Sequence, residues 1–256
     1  MSQPRTGDLE QTLLPSPNVV LLAPGARDAY VHRLGDTLGT AAEYYQANSR
    51  MRPWELADVP SDEQAAALRE WLLRTARTYD PASLVDGAPA PLRPLAGLPA
   101  PLARVLGRFG PGSRLAETLF ANDLIVVHED EVLLMPPRAG VLVLERRVPD
   151  WRTRLGAAVP EPHRAAVRRA SAVLAVVTVP WRHMVLFGER GYRRAVMEAG
   201  VLTRDLCGLA GEAGLRTRPL LDFVDTQVDE LLGNDGVERF CAALVPLAPA
   251  PEVGAP

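Results

Sequence analysis

The chain has no lysine. All 28 of its basic residues are arginine, so no residue can form a Schiff base through a side-chain amine, serve as a P-loop amine or act as a lysine general acid. Cysteine is almost as scarce. Cys207 and Cys241 stand alone, with no CxxC pair and no spacing suited to a metal or a redox couple, and each is expected to be a buried thiol. The four histidines, His32, His128, His163 and His183, lack the HxxxH or HExxH spacing that sets two ligands on one helix face, so no metal site is expected. A basic excess is also missing: the formal charge of -3 argues against a nucleic-acid partner. No window holds the roughly 18 uninterrupted apolar residues of a membrane helix. Met1-Ser-Gln-Pro-Arg5 leads into polar Gly7-Asp8-Leu9-Glu10 in place of a signal-peptide core. The expected location is the cytoplasm, with no membrane contact.

What is present is enough apolar residue for a core: 47% of 256 residues are hydrophobic, as a globular protein requires. Met1–Pro17 and Ala248–Pro256 are polar or Pro/Ala-rich and are expected to be loose. Val19–Leu22 reads as a strand and Arg27–Asn48 as a helix. Ser61-Asp-Glu-Gln64 is a capping box that opens a helix with Leu68, Trp71, Leu72 and Thr75 as its buried stripe. Recurrent prolines between Asp80 and Gly112 leave room only for a short helix near Leu102–Arg108. Leu124–Val127 and Val132–Met135 read as hairpin arms, Val141–Glu145 as a third strand, and Pro162–Ala170 as a short basic helix. Ala172–Val179 is a continuous β-branched run, expected to be buried on both faces. Met197, Val201, Leu202, Leu206, Leu209 and Ala210 mark the apolar stripe of a long helix ending near Gly211–Gly214. Asp225–Leu232 reads as a helix with Gly233 at C′, and Phe240–Leu244 as the last strand. The expected division is an accessory region over 1–113, a main domain over 114–248 and a disordered tail over 249–256.

The order of motifs in the second half resembles one family. Arg182, Arg190-Gly191-Tyr192-Arg193, Glu198, Gly200, Leu206, Ala213-Gly214-Leu215, Phe223, Asp225 and Leu231-Leu232-Gly233 follow the pattern of the SagB-type branch of the flavin-dependent nitroreductases. That family oxidises azolines to azoles in ribosomally made peptides. The resemblance implies an α+β nitroreductase-like fold, with a central, mostly antiparallel sheet flanked by helices that build a dimer. It also implies FMN as cofactor. By position it assigns Arg182, Arg190 and Arg193 to cofactor binding and leaves His183 and Tyr192 as the proton-transfer candidates, although Arg190 and Arg193 could equally pair with Glu189, Glu198 or a neighbouring subunit.

The departures are systematic. Leu186-Phe187 replaces the family's Lys-Tyr pair and cannot move a proton. Arg204-Asp205 replaces Gln-Asn, and Leu221-Asp222 replaces the Gly-Gly that lets backbone approach the flavin. The phosphate-clamping Arg-Ser-x-Arg is absent, with only Asn48-Ser49-Arg50-Met51-Arg52 nearby. A protein that keeps the scaffold and loses the chemistry is expected to be a degenerate subunit paired with a catalytic SagB-type subunit, with FMN shared with or bound only by that partner and a precursor peptide as substrate. The alternatives are a homodimeric FMN-dependent azoline dehydrogenase active on its own, and a cofactor-free peptide-binding or peptide-modifying reuse of the fold.

Overall fold

The computed structural model describes Tyr45 and residues 60–78, 91–110, 113–137 and 139–249. The expected strand Val19–Leu22, the expected helix Arg27–Asn48 apart from helical Tyr45, and the ends up to Pro17 and past Pro249 lie outside the described residues. Two compact units divide the protein, Met1–Arg50 and Met51–Pro256.

Ser61 and Gln64 form the anticipated capping box: Ser61 Oγ accepts from the Gln64 N–H at 3.2 Å and Gln64 Oε1 from the Ser61 N–H at 2.9 Å. The helix it opens is α1 (Asp62–Thr78), with Asp62 and Glu63 in the first turn, where negative charge suits the helix dipole. Ala65 is buried, but Trp71 is 55% exposed, against the expected stripe. Six positions beyond Ala65, a period of about 3.6 places Trp71 on the flank of the helix. Leu72 and Thr75 lie outside the described side chains.

Among the described residues seven strands form one sheet: β1 (Leu92–Pro94), β2 (Asn122–His128), β3 (Glu131–Met135), β4 (Val141–Arg147), β5 (Ala172–Thr178), β6 (Leu215–Thr217) and β7 (Phe240–Pro249). Their order is β1-β4-β3-β2-β5-β7-β6, and every pairing is antiparallel. The short edge strands β1 and β6 offer little unpaired backbone to another protein. Every residue of β5 is buried, as its β-branched run anticipates. The β2–β3 hairpin turns on Glu129-Asp130, where Glu129 takes a positive φ of 53° and its carbonyl accepts the Trp151 indole N–H.

Strand β7 runs five residues beyond the expected Leu244. Pro246 and Pro249 disguise it, since proline breaks a ladder. Leu244 exchanges both backbone bonds with Leu220, while the Leu247 carbonyl turns to Ser171 beside β5. By alternation, Pro246 directs its nitrogen to the Leu220 side, between that bridge and the Leu247–Pro249 stretch paired with β6.

Helices cover both faces. α2 (Ala100–Gly107) and α6 (Arg190–Glu212) pack one face through Leu102, Val105, Leu106, Leu202, Leu206 and Ala210. α3 (Trp151–Ala158), α4 (Glu161–Arg169) and α7 (Asp225–Leu232) pack the other through Trp151, Leu155, Val167, Val228 and Leu231. α5 (Trp181–Phe187) lies at the end of β5. The result is α+β, as expected. Elements β1 and α2, within the range assigned to an accessory region, contribute a strand and core side chains to the sheet domain. The sequence does not lead one to expect β1, which lies in the proline-rich stretch, or α3, α5 and β6: α3 carries an internal Gly156, and β1, α5 and β6 are short. Two residues of the expected α6 stripe are misplaced. Met197 and Val201 are 66% and 43% exposed, whereas Ala199, Leu202 and Leu206 are buried. Apolar residues occupy two faces of α6, and periodicity alone merges them.

Candidate functional site

Most of the sequence-derived site residues gather where α5 meets α6. α5 can lie this close because residue 191 is glycine. A Cβ there would stand 2.4 Å from the carbonyl carbon of His183 and from the backbone nitrogen of Met184, far inside van der Waals contact. Beneath this corner Thr178 donates to Asn122 Oδ1 at 2.9 Å, and Asn122 Nδ2 reaches the Ala195 carbonyl at 3.5 Å, joining the strand ends to α6 inside the core.

Arg182, the first residue assigned to cofactor binding, is spent on the protein itself. Its Nη1 donates to Asp123 Oδ1 at 2.7 Å and to the Phe120 carbonyl at 3.2 Å. Asp123 Oδ2 accepts from Arg239 Nε at 3.2 Å, and Arg239 Nη2 continues to Glu145 Oε1 at 3.2 Å. This series of charges ties α5 to β2, to β4 and to the residue before β7. Burial alone would raise the Asp123 carboxyl, but the Arg182 and Arg239 charges and hydrogen bonds outweigh it and hold it below its ordinary value. At Glu145 burial prevails over Arg239, and with the nearby Asp123 charge it pushes the carboxyl up. The two carboxyls separate because Asp123 has two guanidiniums and Glu145 shares one. Asp123, Glu145 and Arg239 were not anticipated. The signal available was a charge at the edge of each apolar run: Asp123 before Leu124, Glu145 after Leu144 and Arg239 before Phe240.

His183, the next residue, is wholly buried. Its ring meets Phe120 edge-on at 5.1 Å between centroids and lies 5.8 Å from Phe187. Nε2 sits 2.7 Å from Glu198 Oε2, yet out of hydrogen-bond alignment, so neither ring nitrogen has an aligned partner. A proton shuttle needs a route to a reacting group. Aromatic rings flank the imidazole, and its one close polar neighbour among the described residues is the Glu198 carboxylate, itself about one-third exposed.

Tyr192 is partly exposed, with its ring stacked on Phe240 at 6.2 Å. None of Arg190, Tyr192 and Arg193 is without a partner. Leu186 packs on Phe120, Ala121 and Ala195, and Phe187 lies under Arg194, whose Cζ is 3.9 Å from the ring centroid. Leu221 and Asp222 are exposed. Three further motif residues, Gly233, Gly214 and Phe223, have structural roles. Gly233 takes the left-handed conformation that ends α7, at φ 82°, with Arg146 across it donating to the Glu230 carbonyl at 2.9 Å. Gly214 follows α6 at φ 77°, and Phe223 packs on the second core. Cys241 is buried and Cys207 partly buried, and burial raises both thiols.

FMN would require a cationic phosphate clamp and open backbone beside its ring. Any phosphate held by Arg182 would face the Asp123 carboxylate 2.7 Å from that guanidinium, and the exposed Leu221-Asp222 puts bulk and negative charge at the positions the resemblance gives to flavin-approaching glycines. Among the described residues these positions do not fit a flavin held by this protein alone. No group of three His, Cys, Asp or Glu side chains is placed to hold a metal ion there, and no described helix is long and apolar enough to cross a membrane.

No family model matches the sequence, and no curated protein does. Solved structures do match, by shape. A protein from Anabaena variabilis classed as a nitroreductase superposes with a TM-score of 0.59 at 19% identity, covering 80% of this chain and 45% of the other. The Escherichia coli microcin synthetase McbBCD complex, solved with truncated pro-MccB17 bound, contains a subunit that superposes with a TM-score of 0.52 at 12% identity, covering 64% of this chain and 70% of that one. The fold is therefore that of the nitroreductases. The match spans less than half the length of the Anabaena protein.

Proposed function

We propose that the protein is a nitroreductase-fold subunit of an FMN-dependent azoline-to-azole dehydrogenase in the maturation of ribosomally made peptides, paired with a catalytic SagB-type subunit. In this reading the partner binds the flavin, alone or across the interface, and performs the oxidation on the precursor peptide. The likeness to a subunit of a microcin synthetase complex supports the setting. The observation that carries the reading is the condition of α5. Arg182 is paired with Asp123, His183 is buried beside Glu198, and Phe187 lies under Arg194, so all three positions are engaged by the protein's own side chains.

The outer face of α6 supports the partner. Val196, Met197 and Val201 are exposed there among exposed Gly200, Gly208 and Gly211, at each of which an added Cβ would meet nothing within 4 Å. Small residues beside exposed apolar ones allow another helix a close approach.

The test is to purify the protein alone and together with a SagB-type protein encoded beside it, and to measure flavin absorbance and azole formation. The expected result is a colourless protein that co-purifies with the neighbour and raises its flavin occupancy or turnover. A yellow protein with stoichiometric FMN and azoline oxidation of its own would overturn the reading in favour of the homodimeric enzyme. A colourless protein that leaves the neighbour's occupancy and turnover unchanged would overturn it in favour of a cofactor-free reuse of the fold.

A further inference from the structure

On the sheet face opposite α6, a cleft of about 480 Å³ lies between α3 and α4, lined by Arg152, Thr153, Gly156, Ala157, Arg164 and Arg168. Three guanidiniums and no carboxylate line it, in a protein whose net charge is -3. Two of the three are fixed by backbone carbonyls. Arg152 donates from Nε and Nη2 to Ala170, each at 3.3 Å, and lies 4.3 Å over the Trp151 ring. Arg164 donates from Nε to Val159 at 3.3 Å; its Nη1 also meets the exposed Glu161 at 2.8 Å, which offsets part of its charge. Arg168 has no ion pair or hydrogen bond among the described residues. Side chains already held in place lose less entropy when a ligand arrives.

Gly156 is a second, independent observation. It lies inside α3, where glycine costs about 1 kcal/mol relative to alanine. It is buried, yet a Cβ built on it would meet nothing within 4 Å. Among the described residues nothing in the packing requires glycine there. What its missing side chain provides is an open floor to the cleft.

We propose that this cleft binds a small phosphorylated ligand carrying at least two negative charges, with the phosphate clamped by Arg152, Arg164 and Arg168 and the Thr153 hydroxyl as a further donor. Arg168 can offer its planar fork to two phosphate oxygens at once, while Arg152 and Arg164, whose Nε groups are held by carbonyls, add their remaining N–H groups and charge, with Glu161 exposed and able to turn away; the volume lies within the roughly 300–1,000 Å³ of small-molecule sites. The site is separate from the α5–α6 corner and does not depend on the function proposed above.

Calorimetric titration of the full-length protein with inorganic pyrophosphate and with ADP tests it. One saturable pyrophosphate site is expected, weakened about tenfold or more by Arg168→Gln, since a charge-assisted contact of about 1.4 kcal/mol or more is removed. Gly156→Leu, which fills the floor and keeps all three arginines, should abolish binding without lowering thermal stability. Arg204→Gln on α6 should leave it unchanged. Tighter binding of ADP supports a nucleotide ligand, and equal binding supports a site for the phosphates alone. The proposal is overturned if neither ligand saturates at millimolar concentration, if Gly156→Leu retains binding, or if Arg204→Gln weakens it as much as Arg168→Gln.

Discussion

Helix α6 buries Ala199, Leu202, Leu206 and Ala210 against the sheet, and at its start Gly191 admits the backbone of α5. Its outer face exposes Met197 and Val201 beside Gly200 and Gly208, where an added side chain would touch nothing. Glycine therefore appears on both faces of one helix for different reasons. On the inner side the protein's own packing explains it. On the outer side nothing among the described residues does, and in our proposal a partner supplies the reason. Both Gly191 and Gly200 belong to the stretch that resembles SagB-type proteins, so one motif encodes the fold with one glycine and, in our proposal, assembly with the other.

The sharpest way to break this contrast is Gly191→Ala. The atoms facing the new Cβ belong to backbone, 2.4 Å away, and cannot rotate aside, so α5 must move off α6. The expected loss is about 3 kcal/mol, the upper part of the usual overpacking range, seen as a lower urea midpoint at unchanged slope. A midpoint equal to that of the parent protein would mean that α5 is not held where Gly191 admits it.

Asp123→Asn follows. It leaves two guanidiniums without their shared carboxylate, at a cost of roughly 2–3 kcal/mol near neutral pH, slightly below the range for a fully buried pair because the three side chains keep 12–23% exposure. The Asp123 carboxyl is held below its ordinary 3.8, so its contribution is present above that value and is lost as pH falls through the folded pKa. The variant should therefore converge on the parent in acid. Glu145 has the opposite sign: its carboxyl is raised above 4.5, so its contribution fades as pH rises through the folded value, and Glu145→Gln should compare progressively better with the parent toward neutral pH. Unfolding midpoints across the acid range check both; a pH-independent penalty at Asp123 would show that the ion pairs contribute nothing there.

Much of this was legible in the sequence, for identifiable reasons. Strand β5 declares itself by an unbroken β-branched run, α1 by its capping box, and α7 by Gly233 placed after Leu231-Leu232. The surroundings of the candidate site were not legible. The resemblance names Arg182 and His183, but what they touch comes from Phe120, Asp123, Glu198 and Arg239, residues distant in sequence that only the sheet register and the α5–α6 contact bring near. The Met197 and Val201 stripe misled because hydrophobicity reports burial against anything, the protein's own core or another subunit.

Gly233→Ala addresses a third motif glycine that the protein's own structure explains. Its φ of 82° costs an L-residue about 1–2 kcal/mol, and the new Cβ would displace the Arg146 guanidinium that caps α7. Thermal unfolding should show a loss in that range, smaller than for Gly191→Ala because a guanidinium, unlike backbone, can yield.

The smallest effect should have the opposite sign. Gly200 lies within α6, exposed, with open space at its Cβ. In the isolated protein Gly200→Ala should therefore stabilise, by up to about 1 kcal/mol from helix propensity. If the outer face receives a partner's helix, the same methyl group stands where that backbone must come close, and co-purification with the SagB-type subunit should fall while the lone protein becomes harder to unfold. Stability and assembly would then move in opposite directions in a single variant. A variant that is more stable and still pairs fully would place the interface elsewhere on the molecule; one that is less stable would mean that the protein itself uses the space at residue 200, and the contrast between the two faces of α6 would be lost.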